Sequence, residues 1–199
     1  METNRLEAFS DGVFAIAITL LIIEVGVPEG HGPLLDRLAD QWPSYLVYAL
    51  SFATIGVMWM NHHNILPLIE RCTHGLVVWN LALLLVIAFI PFPTKVLGEN
   101  LRDVPFADMR TAALLYNGTF FLMAVLYNTF WQTAAWKDRL IVKGREAQAA
   151  AVSRTYWPGS PAYIVAIAVA FWSPIGSIIA NTVVMFAYGL PIRGLREAD

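Results

Sequence analysis

The sequence contains little charge and a single cysteine, and both shortages limit what the protein can be. Asp, Glu, Lys and Arg make up 14% of its 199 residues, and 57% are hydrophobic, whereas an ordinary soluble domain is about 25% charged. Because Cys72 stands alone, no disulfide can form within the chain. The formal net charge of −2 argues against nucleic acid as a partner. The composition therefore indicates a membrane protein without a disulfide framework.

Motifs for enzyme chemistry are also missing. The sequence contains no Walker loop, no zinc-binding pattern, no nucleophile elbow and no cysteine pair. His62 and His63 are adjacent, so on a helix their side chains point about 100° apart, which suits a metal or haem pair poorly. We therefore expect neither an enzyme nor a bound metal or cofactor.

Long apolar runs dominate the sequence that is present. About 20 apolar residues span the hydrocarbon core of a bilayer. The first run lacks a basic leader and a small-residue cleavage site, so we expect it to remain in the mature chain. We predict an all-α integral membrane protein in which residues 1–199 form a single six-helix transmembrane domain. Its predicted spans are 9–26, 43–68, 74–98, 111–136, 160–173 and 174–191.

Prolines predict two interruptions of these spans. Pro91 and Pro93 predict a kink near the outer end of the third span, because proline removes a helical hydrogen bond. The Ser173-Pro174 step predicts a tight turn, because the residue before proline is pushed out of the α region. Residues 160–191 are then a helical hairpin. The alternative is one long kinked helix, which gives five spans and puts the termini on opposite sides.

Basic residues favour the six-span arrangement. Under six spans, nine Lys and Arg residues fall on one side and four on the other. Because cytoplasmic loops carry the excess of positive charge, both termini are predicted to be cytoplasmic. The largest loop on that side, 137–157, predicts a short surface helix or an extension of a span. Aromatic residues that prefer the membrane interface lie near predicted span ends: Trp42, Tyr45, Trp131, Trp136, Tyr156, Trp157 and Tyr188.

The first helix has two different faces. At about 100° per residue, Asp11 lies near 220° from Ile16 and is predicted to face its own subunit. A stripe within about 60° of Ile16 has the three-four spacing that helices use to pack around a common axis. The plainer interpretation is ordinary packing, in which Thr19 bonds to its own helix. The stripe comprises Arg5, Phe9, Gly12, Ile16, Thr19, Leu20 and Ile23.

Polar residues of the second and third spans are predicted to lie at the depth of the Ser10-Asp11 pair. An Asp within a membrane helix costs about 2.5 to 3.5 kcal/mol, so we expect these groups to form a hydrogen-bonded network. The alternative for Asp11 is a solvated N-cap, since Ser and Asp favour helix starts. The predicted partners are His62, His63, Trp79 and Asn80.

A family resemblance rests on three stretches of the chain. The first is an RxxxFSD pattern, from Arg5 through Phe9 and Ser10 to Asp11, followed by GVFAIAITLLIIEV. With MWMNHHNI in the second span and NLALLLVIAFIPFPT in the third, the sequence resembles the lysosomal potassium channel family of the transmembrane protein 175 type, as a prokaryotic member. The resemblance implies six helices per repeat and a homotetramer in the cell membrane. It also implies a potassium-permeable cation channel.

The resemblance further implies roles for individual residues. In that family the first helix lines the pore, and bulky apolar side chains form the constriction. Ile16 would be the narrowest ring, and the neighbouring pore positions would be Thr19, Leu20 and Ile23. A polar network would hold the pore helix, and its members would be Arg5, Phe9, Ser10, Asp11, His62, His63 and Asn80. The permeant potassium ion is the only ligand that these roles require.

Two other functions are compatible with the sequence. A secondary transporter of a small solute or proton needs a polar site at the membrane midplane, and the predicted spans are nearly free of charge there. A non-conducting membrane scaffold would use the stripe only for oligomerisation.

Overall fold

The computed structural model describes residues 3–136 and 139–190, and the regular elements within these residues are helices joined by loops. Strand-like pairing in these residues is limited to one isolated bridge between Ile69 and Ile141. The all-α prediction is therefore confirmed for this part of the chain. The α-helices are α1 (Thr3–Val25), α2 (Leu34–Asp40), α3 (Trp42–Ile65), α4 (His74–Phe89), α5 (Pro91–Glu99), α6 (Phe106–Ala135), α7 (Glu146–Tyr156), α8 (Gly159–Ala170) and α9 (Pro174–Gly189), with a 3₁₀ turn at Leu66–Leu68.

Four helical stretches among the described residues are long and apolar enough to cross a membrane. They contain 23 to 30 residues and are about 35 to 45 Å long, which exceeds the hydrocarbon core of about 30 Å. The first four predicted spans are thus confirmed as helices of this kind. Helix α1 begins at Thr3, before the predicted start at residue 9. The four stretches are Thr3–Val25, Trp42–Leu68, His74–Glu99 and Phe106–Ala135.

The predicted interruption of the third span at its prolines is confirmed. Helix α4 ends at Phe89 and α5 begins at Pro91. Ile90, between them, keeps helical angles (φ −53°, ψ −37°), and its carbonyl accepts the amide N–H of Thr94 at 3.1 Å. The regular helix is therefore interrupted before the prolines, while the backbone of Ile90 stays in the helical region.

A helical hairpin follows α7, as predicted over residues 160–191. Helices α8 and α9 pack against each other, and Ser173 between them is extended (φ −147°, ψ 94°). Its hydroxyl oxygen caps α9 by accepting the Gly176 amide N–H at 3.0 Å. The chain therefore turns back here, and 160–191 is not one kinked helix. The two helices have 12 and 16 residues, about 18 and 24 Å, so each is shorter than the core of a typical bilayer.

The loops after α3 and after α6 lie at the same end of the bundle. The Glu70 amide N–H donates to the Leu140 carbonyl at 2.8 Å, and the Val142 N–H donates to the Leu68 carbonyl at 2.9 Å. At the opposite end, Arg102 Nη2 lies 3.3 Å from Asp40 Oδ1. Successive loops therefore lie at alternate ends of the bundle, as consecutive membrane crossings require.

Trp131 corrects one expectation from the sequence. It is predicted to lie at the membrane interface, yet its side chain is fully buried. Its indole N–H donates to the Ser153 hydroxyl of α7 at 2.8 Å. Helix α7, the short helix predicted within 137–157, covers the end of α6, and Tyr156 of α7 is buried as well. An aromatic residue near a span end can therefore belong to the core when another helix covers that end.

Candidate pore helix and its polar anchor

Helix α1 buries one face within its own chain and exposes the other. The buried positions recur every three or four residues, which is the spacing of a single helical face. They pack toward α3, α4 and α5, the helices that contact α1. The buried residues are Leu6, Ser10, Phe14, Ala17 and Leu21.

The stripe predicted to line a pore lies on the exposed face. The side chains of Ile16, Leu20 and Ile23 are 60%, 40% and 68% exposed. Thr19 is exposed too, and its hydroxyl donates to the carbonyl of Ile16 at 2.8 Å. The hydrogen of this hydroxyl is therefore used inside the helix, while the oxygen lone pairs point outward. Gly12 lies on the same face with nothing within 4 Å of where a Cβ would stand.

A buried hydrogen-bonded chain joins α1 to α4 and α3. The Ser10 hydroxyl donates to the Leu6 carbonyl at 2.8 Å and accepts from Asn80 Nδ2 at 2.9 Å. Asn80 Oδ1 lies 2.9 Å from His62 Nε2. Because an amide oxygen only accepts, Nε2 must carry the hydrogen. All donors in this chain therefore point the same way, from His62 through Asn80 and Ser10 to the backbone of α1.

Aromatic rings enclose the far side of His62. The imidazole is fully buried, with the ring of Phe14 at 5.5 Å and that of Phe130, nearly parallel, at 5.4 Å. Its Nδ1 atom has no hydrogen-bond partner among the described residues. His62 is thus held by one polar contact and two apolar ones.

A second cluster surrounds Asp11 near the same end of α1. The Trp59 indole N–H donates to Asp11 Oδ1 at 2.8 Å, so Asp11 faces α3 of its own chain as the helical wheel predicts. Nδ1 of His63 lies 3.0 Å from Glu7 Oε1, and the His63 ring stacks on Trp59 at 5.8 Å. Asp11 is not an N-cap, because α1 begins eight residues earlier at Thr3.

The predicted polar network is therefore divided. Ser10, His62 and Asn80 come together in the buried chain, whereas Asp11 and His63 belong to the second cluster. Arg5 and Phe9 lie on the exposed face of α1, and neither joins these clusters within one chain. Trp59 and Glu7 have no place in the predicted set, because local sequence gives no signal that they face Asp11 and His63.

Two further buried polar groups have no counterpart in the sequence analysis. Asn117 of α6 donates to Ser177 at 3.1 Å and accepts from Asn181 Nδ2 at 3.0 Å, which joins α6 to α9. The Thr94 hydroxyl of α5 donates to the Ile90 carbonyl at 2.8 Å and lies 2.8 Å from the Ser51 hydroxyl, which also contacts the Tyr116 hydroxyl at 3.0 Å. The sequence signal that could have identified these groups is a polar residue within an apolar span, since such a residue requires a hydrogen-bond partner in hydrocarbon.

Near the other end of α1, the charge of Glu24 is balanced. Its Oε2 lies 3.5 Å from Nζ of Lys95 on α5, and both side chains are partly exposed. Because Lys95 offsets the charge of Glu24, this carboxylate alone attracts cations only weakly.

Comparison with known proteins shows which family the chain resembles. The profile of the family described as endosomal/lysosomal potassium channel TMEM175 matches residues 5–91, which contain both clusters on α1. A potassium channel from Chamaesiphon minutus is 43% identical over 183 residues, which cover 88% of this chain and 89% of that protein. The chain belongs to the TMEM175 family. A potassium channel from Streptomyces collinus is 38% identical over 191 residues, which cover 94% of this chain and 92% of that protein.

A solved TMEM175 structure shares the fold. The crystal structure of a lysosomal potassium-selective channel TMEM175 homolog from Chamaesiphon minutus has a TM-score of 0.83 and 41% identity, covering 94% of this chain and 95% of that one. The TMEM175 family is a family of ion channels, so the expectations of family membership and of a protein that is not an enzyme are confirmed. The chain is likewise a multi-pass membrane protein.

Proposed function

We propose that this chain forms a potassium-permeable cation channel in which four identical subunits place α1 around a central pore. Ile16 forms the narrowest ring, and Thr19, Leu20 and Ile23 line the adjacent pore. Two relatives that match 88% and 94% of the chain are named potassium channels. Potassium is the permeant ion, and the pore needs no cofactor.

The observation that carries the proposal is the fixed rotation of α1. Ser10 is bonded to Asn80, and Asp11 to Trp59, on the side of α1 that packs against its own subunit. The Ile16 stripe must therefore point away from the subunit. Gly12 lies on the same exposed face, and small residues let neighbouring helices approach closely.

The Ile16 ring supplies a gate made of apolar side chains. A narrow apolar constriction excludes water and so blocks ions without any charged residue. Such a ring offers a cation no oxygen ligands, and Thr19, one turn away, supplies the nearest ones. We expect modest selectivity for potassium from one threonine layer.

The proposed subunit crosses the membrane of the cell six times, with both termini in the cytoplasm. The excess of basic residues on one side supports this orientation, and the alternation of loop contacts supports consecutive crossings. The hairpin α8–α9 supplies the last two crossings, although its helices are short. Short spans are accommodated by local thinning of the bilayer. Residues 191–199, and with them the C-terminus, lie outside the described residues.

The test is potassium flux through vesicles that contain the purified protein. Ile16→Asn should increase the flux at least several-fold, because a polar side chain lets water wet the constriction. The matched control is Ile22→Asn on the same helix, since Ile22 is similarly exposed (54% against 60%) but points about 120° away. Equal flux from both variants, or no change in Ile16→Asn, would contradict the proposal.

A further inference from the structure

We propose that Glu7, Asp11 and His63 form a binding site for a divalent transition-metal ion of the zinc class. One ligand atom from each of these residues lies within 4.8 Å of the other two. Zinc binds imidazole nitrogen and carboxylate oxygen at about 2.0 to 2.2 Å, so ligand atoms around a tetrahedral ion are about 3.3 to 3.6 Å apart. Small side-chain rotations are enough to reach that spacing. Water would complete the coordination, as in zinc sites with three protein ligands.

The fold brings these ligands together from two helices. Glu7 and Asp11 are four residues apart on α1, so they share one face. His63 comes from the end of α3, where its Nδ1 already lies 3.0 Å from Glu7 Oε1. The ligand set combines one nitrogen with two carboxylates, which is a combination that zinc accepts and that a purely acidic cluster lacks.

Trp59 holds two of the three ligands in position. Its indole N–H binds Oδ1 of Asp11 at 2.8 Å and so leaves Oδ2 free for an ion. Its ring stacks on His63 with an interplanar angle of 27°. Outer groups that orient the ligands are a regular part of metal sites, and this contact distinguishes the cluster from loose charges on a surface. The side chains of Glu7 and His63 are 24% and 52% exposed, so an ion can reach them.

The site lies away from the proposed permeation path. Glu7 and Asp11 are about 180° and 220° around α1 from Ile16. An ion bound there would therefore tie α1 to α3 and would not occupy the pore. The effect on flux rests on the proposed function: the restraint lowers potassium flux because it opposes movement of α1 relative to α3.

Binding is tested with zinc chloride on the purified full-length chain, without a histidine tag, in detergent. Calorimetry and competition with a chromophoric chelator should show one zinc ion per chain. His63→Ala and Glu7→Gln should each weaken binding at least tenfold, and Trp59→Phe should weaken it about 10- to 100-fold, the usual effect of removing an orienting group. Misfolding is excluded as the cause when each variant elutes as a folded oligomer. In addition, zinc should raise the melting temperature only of the protein whose ligands are intact.

The matched control is His74→Ala, since His74 is an exposed histidine of the same chain near Cys72. Its affinity for zinc should equal that of the wild type. No zinc binding by the wild type, or binding that His74→Ala loses and His63→Ala keeps, would overturn the site.

Flux in vesicles tests the restraint separately. Zinc on both sides should lower potassium flux in the wild type and leave His63→Ala unaffected. Intact binding with unchanged flux would overturn the restraint alone. A wild type that conducts no potassium in zinc-free buffer would contradict the proposed channel function, and the binding measurement would still decide the metal site.

Discussion

Replacing Asn80 with leucine should destabilise the protein by about 2 to 4 kcal/mol. Asn80 is fully buried and accounts for the only side-chain hydrogen bond of His62 among the described residues. A buried donor left without a partner costs about 1 to 3 kcal/mol. The lost bond to Ser10 adds about 0.6 kcal/mol, the average for polar contacts between membrane helices, or somewhat more. Leucine itself is as large as asparagine and leaves no cavity.

The assay is equilibrium unfolding in mixed micelles, with dodecyl sulfate as the denaturant and tryptophan fluorescence as the signal. The matched control is Asn64→Leu, because Asn64 is an exposed asparagine on α3. This control should stay within about 0.5 kcal/mol of the wild type, the usual range for surface substitutions.

A double variant sharpens the same prediction. His62→Phe combined with Asn80→Leu should recover about 1 kcal/mol or more relative to the sum of the single changes, because no buried donor is then left unpaired. Phenylalanine suits the position, since the rings of Phe14 and Phe130 already enclose it. Strict additivity, or an Asn80→Leu variant as stable as the wild type, would refute the reasoning that the buried chain anchors α1.

Two further predictions concern packing around α1 and the outer end of the bundle. Asp11→Leu should destabilise the protein by about 1 to 2 kcal/mol in the same unfolding assay, because the Trp59 indole loses its acceptor. Asp11→Asn keeps an acceptor oxygen and should cost less than half as much; equal costs would mean that the charge and not the hydrogen bond matters. Gly98→Ala should cost about 1 to 3 kcal/mol, because its Cβ would stand 3.0 Å from the backbone Cα of Ser44, which cannot move aside. The control Gly118→Ala has open space around the new Cβ and should be neutral or stabilising, and a Gly98→Ala variant that behaves like it would contradict the packing argument.

The long spans and their interruptions were predictable from the sequence, since their causes are local. Apolar runs identify the first four spans because a single segment within hydrocarbon can pair its own backbone N–H and C=O groups only as a helix. Pro91 interrupts the third span because its ring clashes with the preceding helical turn. Pro174 sets the turn before α9 because it disfavours a helical conformation at Ser173. The helix itself extends beyond the predicted span, since α1 begins at Thr3 in a polar stretch that carries no apolar signal.

The partners of the polar residues were only partly predictable. Ser10, Asn80 and His62 were predicted to belong to one polar network because side chains at the same depth in the membrane can contact each other. Depth alone does not say how each helix is rotated against its neighbours. His62 and His63 differ by about 100° around α3, so the first enters the core while the second meets Glu7 at the surface. That separation depends on packing between residues far apart in the sequence.

The one-way chain of hydrogen bonds limits how α1 can turn. An atom about 4 Å from a helix axis moves about 0.7 Å when the helix turns by 10°, whereas useful hydrogen bonds span only about 2.7 to 3.2 Å. The contact between Ser10 and Asn80, at 2.9 Å, would be lost in a larger turn of α1 alone. A wider turn of α1 against α3 and α4 must therefore break this contact, so the buried chain acts as a stop on the rotation of α1 within its own subunit.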